Sequence, residues 1–137
     1  MSLQTSGQAP HQAPNQALVL FAHGARDPAW AAPFERLQQL IQAQLPTVHV
    51  ALAFLELMQP DLPQLLAQLA ASGVAEVSVV PVFLGQGGHV RRDLPLLIEQ
   101  ARQQHPTLSI EVAQAAGEQP EVLSAIAQYC VTTLDRA

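Results

Sequence analysis

Val77-Ser-Val-Val-Pro-Val-Phe-Leu84 runs without a charge into Gly85-Gln-Gly-Gly-His89-Val-Arg-Arg-Asp93. An apolar, β-branched run, a glycine-rich turn and then apolar residues at helical spacing (Val90, Leu94, Leu97, Ile98, Ala101) read as a buried strand, a loop and a helix. The same order recurs along the chain. Leu18–Ala22 precedes a helical pattern through Phe34, Leu37, Leu40, Ile41 and Leu45, and Val48–Leu55 precedes one through Leu62, Leu65, Leu66 and Leu69. Leu108-Ser-Ile-Glu-Val112 precedes a last one through Leu123, Ile126, Ala127, Cys130 and Leu134. Strands that each lead into a helix, with no hairpin turn signal between them, predict an α/β three-layer sandwich: a four-stranded parallel sheet with right-handed crossovers, covered on both faces.

Local signals set the expected boundaries. Asp61 caps the second helix with Pro63 in its first turn, and Ser72-Gly73 stops it. Pro28 and Pro33 restrict where the first helix starts, and Pro120 opens the last. Pro95 fits the third helix if Asp93 caps it. Pro81 removes a ladder donor from a central strand, which calls for a bulge or an early strand end. Polar and apolar residues alternate along the fourth strand, as on an edge. Residues 1–16, rich in Gln, Pro and Ala, read as a disordered tail ahead of a single domain over 17–137.

Composition narrows the function classes. A 137-residue chain that is 49% hydrophobic builds one core. Its six basic residues are all arginine against 11 acidic ones, a net charge of -5 with no basic stripe, which argues against nucleic-acid binding. The single cysteine, Cys130, excludes an internal disulfide or a thiolate cluster. With no membrane-length apolar run and no secretory signal pattern, the expectation is a soluble, cytoplasmic protein.

In parallel α/β sheets ligands gather beyond the carboxyl ends of the strands. After the first strand comes His23-Gly-Ala-Arg-Asp, after the second Glu56, and after the third Gly85-Gln-Gly-Gly-His89. Two imidazoles and a carboxylate suit an exchangeable divalent metal such as cobalt, iron or nickel. Taken singly, each has a plainer reading: a strand-end histidine bonded to a carbonyl, a solvated glutamate between two leucines. The glycines are equally compatible with an anion-binding turn, although neither the Walker A pattern nor a complete Gly-x-Gly-x-x-Gly is present. Arg26, Arg91 and Arg92 each fall within three residues of a candidate ligand, a crowding that suits an anionic substrate. His11, His49 and His105 fall outside this group.

His23-Gly-Ala-Arg-Asp-Pro-Ala-Trp, Ala53-Phe-Leu-Glu-Leu and Val80-Pro-Val-Phe-Leu-Gly-Gln-Gly-Gly-His-Val-Arg-Arg-Asp-Leu resemble the short class II chelatases, the small CbiX and SirB type enzymes that insert cobalt or iron into sirohydrochlorin. The resemblance runs from about Leu18 through Ile98 and more loosely to the end. It implies a chelatase fold, a homodimer in which each chain supplies half of a bilobed architecture, and metal held by His23, His89 and Glu56. Arg26, Arg91, Arg92, Gly87 and Gly88 would then face the tetrapyrrole, with the divalent metal a substrate and no permanently bound cofactor. One departure is Ala25, where relatives often carry serine. Another is the absence of a His-rich or Cys-rich tail. A non-catalytic metal chaperone or tetrapyrrole carrier would use the same residues.

Overall fold

The computed structural model describes residues 15–135. Its strands are β1 (Gln16–Ala22), β2 (His49–Phe54), β3 (Glu76–Pro81) and β4 (Ser109–Val112). Its helices are α1 (Ala32–Gln44), α2 (Leu62–Ala71), α3 (Gly88–Gln104) and α4 (Pro120–Asp135). All strand pairs are parallel, in the order β2-β1-β3-β4. The chain leaves β1 for one neighbour and later returns past it to the other. The carboxyl edge between β1 and β3 is therefore the crevice where strand order reverses.

One face of the sheet carries the main core. Val19, Phe21, Ala53 and Val79 meet Leu62, Leu65, Leu66 and Leu69 of α2 and Val90, Leu94 and Ile98 of α3, all buried. Burying each leucine contributes about 1.5–3 kcal/mol. Asp61 caps α2 as expected: its carboxylate accepts from the Gln64 amide at 2.9 Å while the Gln64 side chain accepts from the Asp61 amide at 3.0 Å. At the other end Gly73, at φ 91°, supplies the left-handed residue that terminates the helix.

The opposite face is covered more thinly. α1 lies over β1 and β2, where Leu20, Val50 and Phe54 are buried. Of the face predicted for α1, Phe34, Leu37 and Ile41 are half-buried, whereas Leu40 and Leu45 are exposed. Two glutamines close the outer edge of β2. Gln38 donates to the Val50 carbonyl at 2.9 Å, and Gln42 accepts from the Val50 amide at 3.1 Å while donating to the Val48 and Leu45 carbonyls. Over β3 and β4 the sheet presents Ser78 and Glu111 to a polar cleft, and α4 does not cover it. The apolar pattern predicted for α4 exists but buries no residue, with Leu123, Ile126, Tyr129 and Leu134 all exposed.

Two boundaries differ from expectation, and a third resolves one that was left open. Asn15 and Gln16 belong to the fold rather than to a tail: Gln16 pairs with Glu76, and the Asn15 carbonyl accepts from the Ala75 and Glu76 amides. Main-chain pairing holds them whatever their side chains; residues 1–14 of the predicted tail lie outside the described residues. Asp93 does not cap α3. That helix starts at Gly88 after an extended Gly87, so Pro95 sits inside it. Pro81 ends β3, the early strand end that its missing donor called for. The Val79 carbonyl accepts from Ala113, so Val79 and Pro81 face β4, which has already ended at Val112. The missing proline N–H thus costs no ladder bond.

No described helix is long and apolar enough to cross a membrane.

Candidate functional site

Because the strands are parallel, the segments after β1, β2 and β3 emerge at one edge. His23 is the first residue past β1. Its ring lies on Phe83, centroids 4.5 Å apart and 33° between planes, and Phe83 in turn packs on Phe21 in the core. The His23 carbonyl accepts from the Trp30 indole Nε1 at 2.7 Å. Trp30 reaches back because Asp27 caps the 3₁₀ turn Pro28–Ala31, its carboxylate accepting from the Ala29 amide at 2.9 Å.

Glu56 sits in a tight turn after β2. The Leu55 amide donates to the Ala22 carbonyl at 2.8 Å, and the Met58 amide closes a three-residue turn on the Glu56 carbonyl at 2.8 Å. Leu57, between them, has φ 67°, a left-handed conformation that costs a branched residue about 1–3 kcal/mol. Strain of this kind persists where surrounding structure imposes it. Here the imposing contact is Gly24, whose Cα faces the Glu56 main chain with no room for a side chain.

His89 stands in the first turn of α3, one residue past Gly88. Its Nε2 is 3.1 Å from Asp93 Oδ2, one helical turn on. A carboxylate only accepts, so in the neutral ring this contact favours the tautomer with the proton on Nε2, which turns the Nδ1 lone pair toward a metal. Glu56, His89 and Asp93 line one cavity of about 340 Å³, walled by Leu55 and Leu96. His23 is not among its lining residues, and among the described residues no three His, Cys, Asp or Glu side chains close into a metal cage. The candidate ligands thus share an edge, two of them share a cavity, and all three are exposed.

Arg26, Arg91 and Arg92 are also exposed at this edge, and among the described residues none forms an ion pair; the pairs present are His89–Asp93 and Glu99–Arg102. Gly87 and Gly88 form the cap and first residue of α3. Sequence reasoning missed two supporting residues. Asp93 was assigned to the helix start, and a start at Gly88 would have revealed its i, i+4 spacing from His89. Trp30 carried no periodic signal, because a 3₁₀ turn directs it.

Comparison with known proteins gives a consistent picture. The CbiX family model matches residues 17–132. A sirohydrochlorin cobaltochelatase from Methanopyrus kandleri is 34% identical over 82 residues, 60% of this chain and 57% of that protein. One from Methanococcus aeolicus is 31% identical over 61% of this chain and 58% of its own length. The match thus spans little more than half the length of these curated relatives. Among solved structures, a CbiX protein from Marinobacter aquaeolei VT8 superposes with a TM-score of 0.79 at 31% identity, covering 89% of this chain and 99% of that one. The sirohydrochlorin chelatase SirB from Bacillus subtilis, in complex with cobalt, has the same fold: TM-score 0.72, 24% identity, 83% of this chain and 49% of that one.

Proposed function

This chain belongs to the CbiX family, and from that premise we propose that it inserts a divalent metal, cobalt or iron, into sirohydrochlorin. The observation that carries the reading is the pairing of Glu56 with a carboxylate-oriented His89 in one cavity, at the edge where His23 also emerges. Metal insertion needs a weak, exchangeable site, because tight coordination would prevent transfer to the ring. Neutral imidazole and carboxylate on exposed loops provide that, with nitrogen and oxygen donors suited to borderline divalent ions. His23, His89 and Glu56 take the incoming ion; its entry displaces two pyrrole protons, one accepted by one of these residues as it releases the metal and the other passed to water. Arg26, Arg91 and Arg92, which make no ion pair among the described residues, bind the peripheral carboxylates of the tetrapyrrole, and Gly87 and Gly88 admit the ring edge close to the α3 main chain.

The working unit we propose is a homodimer. α4 presents Leu123, Ile126, Tyr129 and Leu134 to solvent, a loss of apolar burial that a second copy recovers.

The test is the absorbance change of free sirohydrochlorin at substoichiometric protein, with cobalt and iron in parallel. A catalyst turns over many equivalents; a carrier stops at one. His89→Ala is expected to abolish insertion while the variant remains folded by circular dichroism, and full activity in that variant would remove the proposal.

A further inference from the structure

Trp30 stands seven residues beyond His23, in a segment that a metal site does not obviously need, yet its indole N–H is spent on the His23 carbonyl at 2.7 Å. That carbonyl is the first beyond the end of β1. The Phe21 carbonyl accepts from Val82 and the Ala22 carbonyl from Leu55, whereas the His23 carbonyl receives the indole. The peptide plane that sets where the His23 side chain leaves the backbone is therefore held by a side chain, not by a strand. The holder is itself fixed. Asp27 receives the Ala29 amide on its carboxylate and the Trp30 amide on its carbonyl at 3.0 Å, and the indole packs on Phe34 of α1 with centroids 5.6 Å apart. On the other side, the His23 ring rests on Phe83.

We propose that Trp30 is a positioning residue for His23: its indole N–H fixes the His23–Gly24 peptide so that the imidazole stays on Phe83, presented to an incoming metal with no side chain among the described residues hydrogen-bonded to its ring. This rests on the reading of His23 as a metal ligand. It accounts for an aromatic residue that is 42% exposed, whose loss removes little core contact and whose hydrogen bond ends on a candidate ligand. It also gives a contrast within the site. His89 is oriented through its ring by Asp93, whereas His23 is oriented through its backbone by Trp30.

The test uses the full-length protein and cobalt(II) alone. Trp30 is the sole tryptophan, so its fluorescence reports the site directly. Cobalt is expected to quench the emission of the unaltered protein and to leave that of His23→Ala unchanged. Trp30→Phe, which keeps a ring against Phe34 but removes the N–H, is expected to bind cobalt about tenfold more weakly by its ligand-field absorption, in the range found when partners of metal ligands are removed. Cobalt affinity and spectrum unchanged in Trp30→Phe would overturn the positioning role and leave the metal site standing. Cobalt binding unaffected by His23→Ala would overturn both. A readout that needs no variant is hydrogen exchange of the indole N–H: protection despite its exposure is expected, and exchange at the rate of free indole would refute the proposal.

Discussion

Gly24 is packed so closely on the Glu56 main chain that a Cβ on it would overlap the Glu56 carbonyl oxygen and press on the Met58 side chain. The contact couples the loop after β1 to the loop after β2, and with them two of the candidate ligands. Gly24→Ala must push the Glu56 turn outward. A loss of about 1–3 kcal/mol in urea denaturation is expected from the overpacking, together with at least about tenfold weaker cobalt binding if misplaced ligand geometry carries the effect. Gly85→Ala is the comparison, since a Cβ there meets nothing within 4 Å. It is expected to change stability by less than about 0.5 kcal/mol. Equal behaviour of the two variants would refute the coupling.

Gln42 joins α1 to the exposed edge of the sheet through its donations to the Leu45 and Val48 carbonyls and its acceptance from the Val50 amide. Gln42→Ala is expected to cost about 1–3 kcal/mol, the two part-buried hydrogen bonds, to Val48 and Val50, contributing about 0.5–1.5 kcal/mol each and the exposed one to Leu45 little. Gln42→Glu should be no milder, because a carboxylate cannot donate and would face two carbonyl oxygens. The edge of β2 would also be left open to pairing, so light scattering on concentration should rise alongside the fall in the urea midpoint.

The strands and the apolar face of α2 were legible because period and burial agree there: Leu62, Leu65, Leu66 and Leu69 are all buried. The faces of α1 and α4 were legible as helices but not as core. Apolar spacing predicts a face and not what covers it, and Leu123 and Leu134 stay exposed in a single chain. Placement of His23, Glu56 and His89 at one edge followed from strand order. What held them did not. The strained Leu57 and the indole on His23 depend on loop conformations that leave no periodic trace, and the His89–Asp93 pair was hidden by the choice of helix start.

Pro95 shows why that start was misjudged. Placing the cap at Asp93 kept proline in a first turn, but α3 tolerates it inside. A proline there has no N–H to give the Arg91 carbonyl and crowds it. Pro95→Ala, at an exposed position, should restore that bond and raise stability by about 2 kcal/mol after allowing for the looser unfolded chain. An unchanged or lower thermal midpoint would mean that the proline is needed for the packing of α3.

Asp93 separates orientation from stability. Its bond to His89 lies on the surface, with side-chain exposures of 71% for the histidine and 42% for the aspartate, so little folding energy is at stake. Its effect on metal binding should be larger, because it selects which ring nitrogen carries the proton and where the free lone pair points. Asp93→Ala is expected to leave the urea midpoint near that of the unaltered protein while weakening cobalt binding by about tenfold or more. Asp93→Asn still offers a carbonyl oxygen to Nε2–H and should recover part of the loss. If the alanine variant loses stability and keeps its affinity, the pair serves α3 rather than His89. If both variants bind cobalt as the unaltered protein does, His89 presents its lone pair unaided, and the cavity it shares with Glu56 needs no supporting carboxylate.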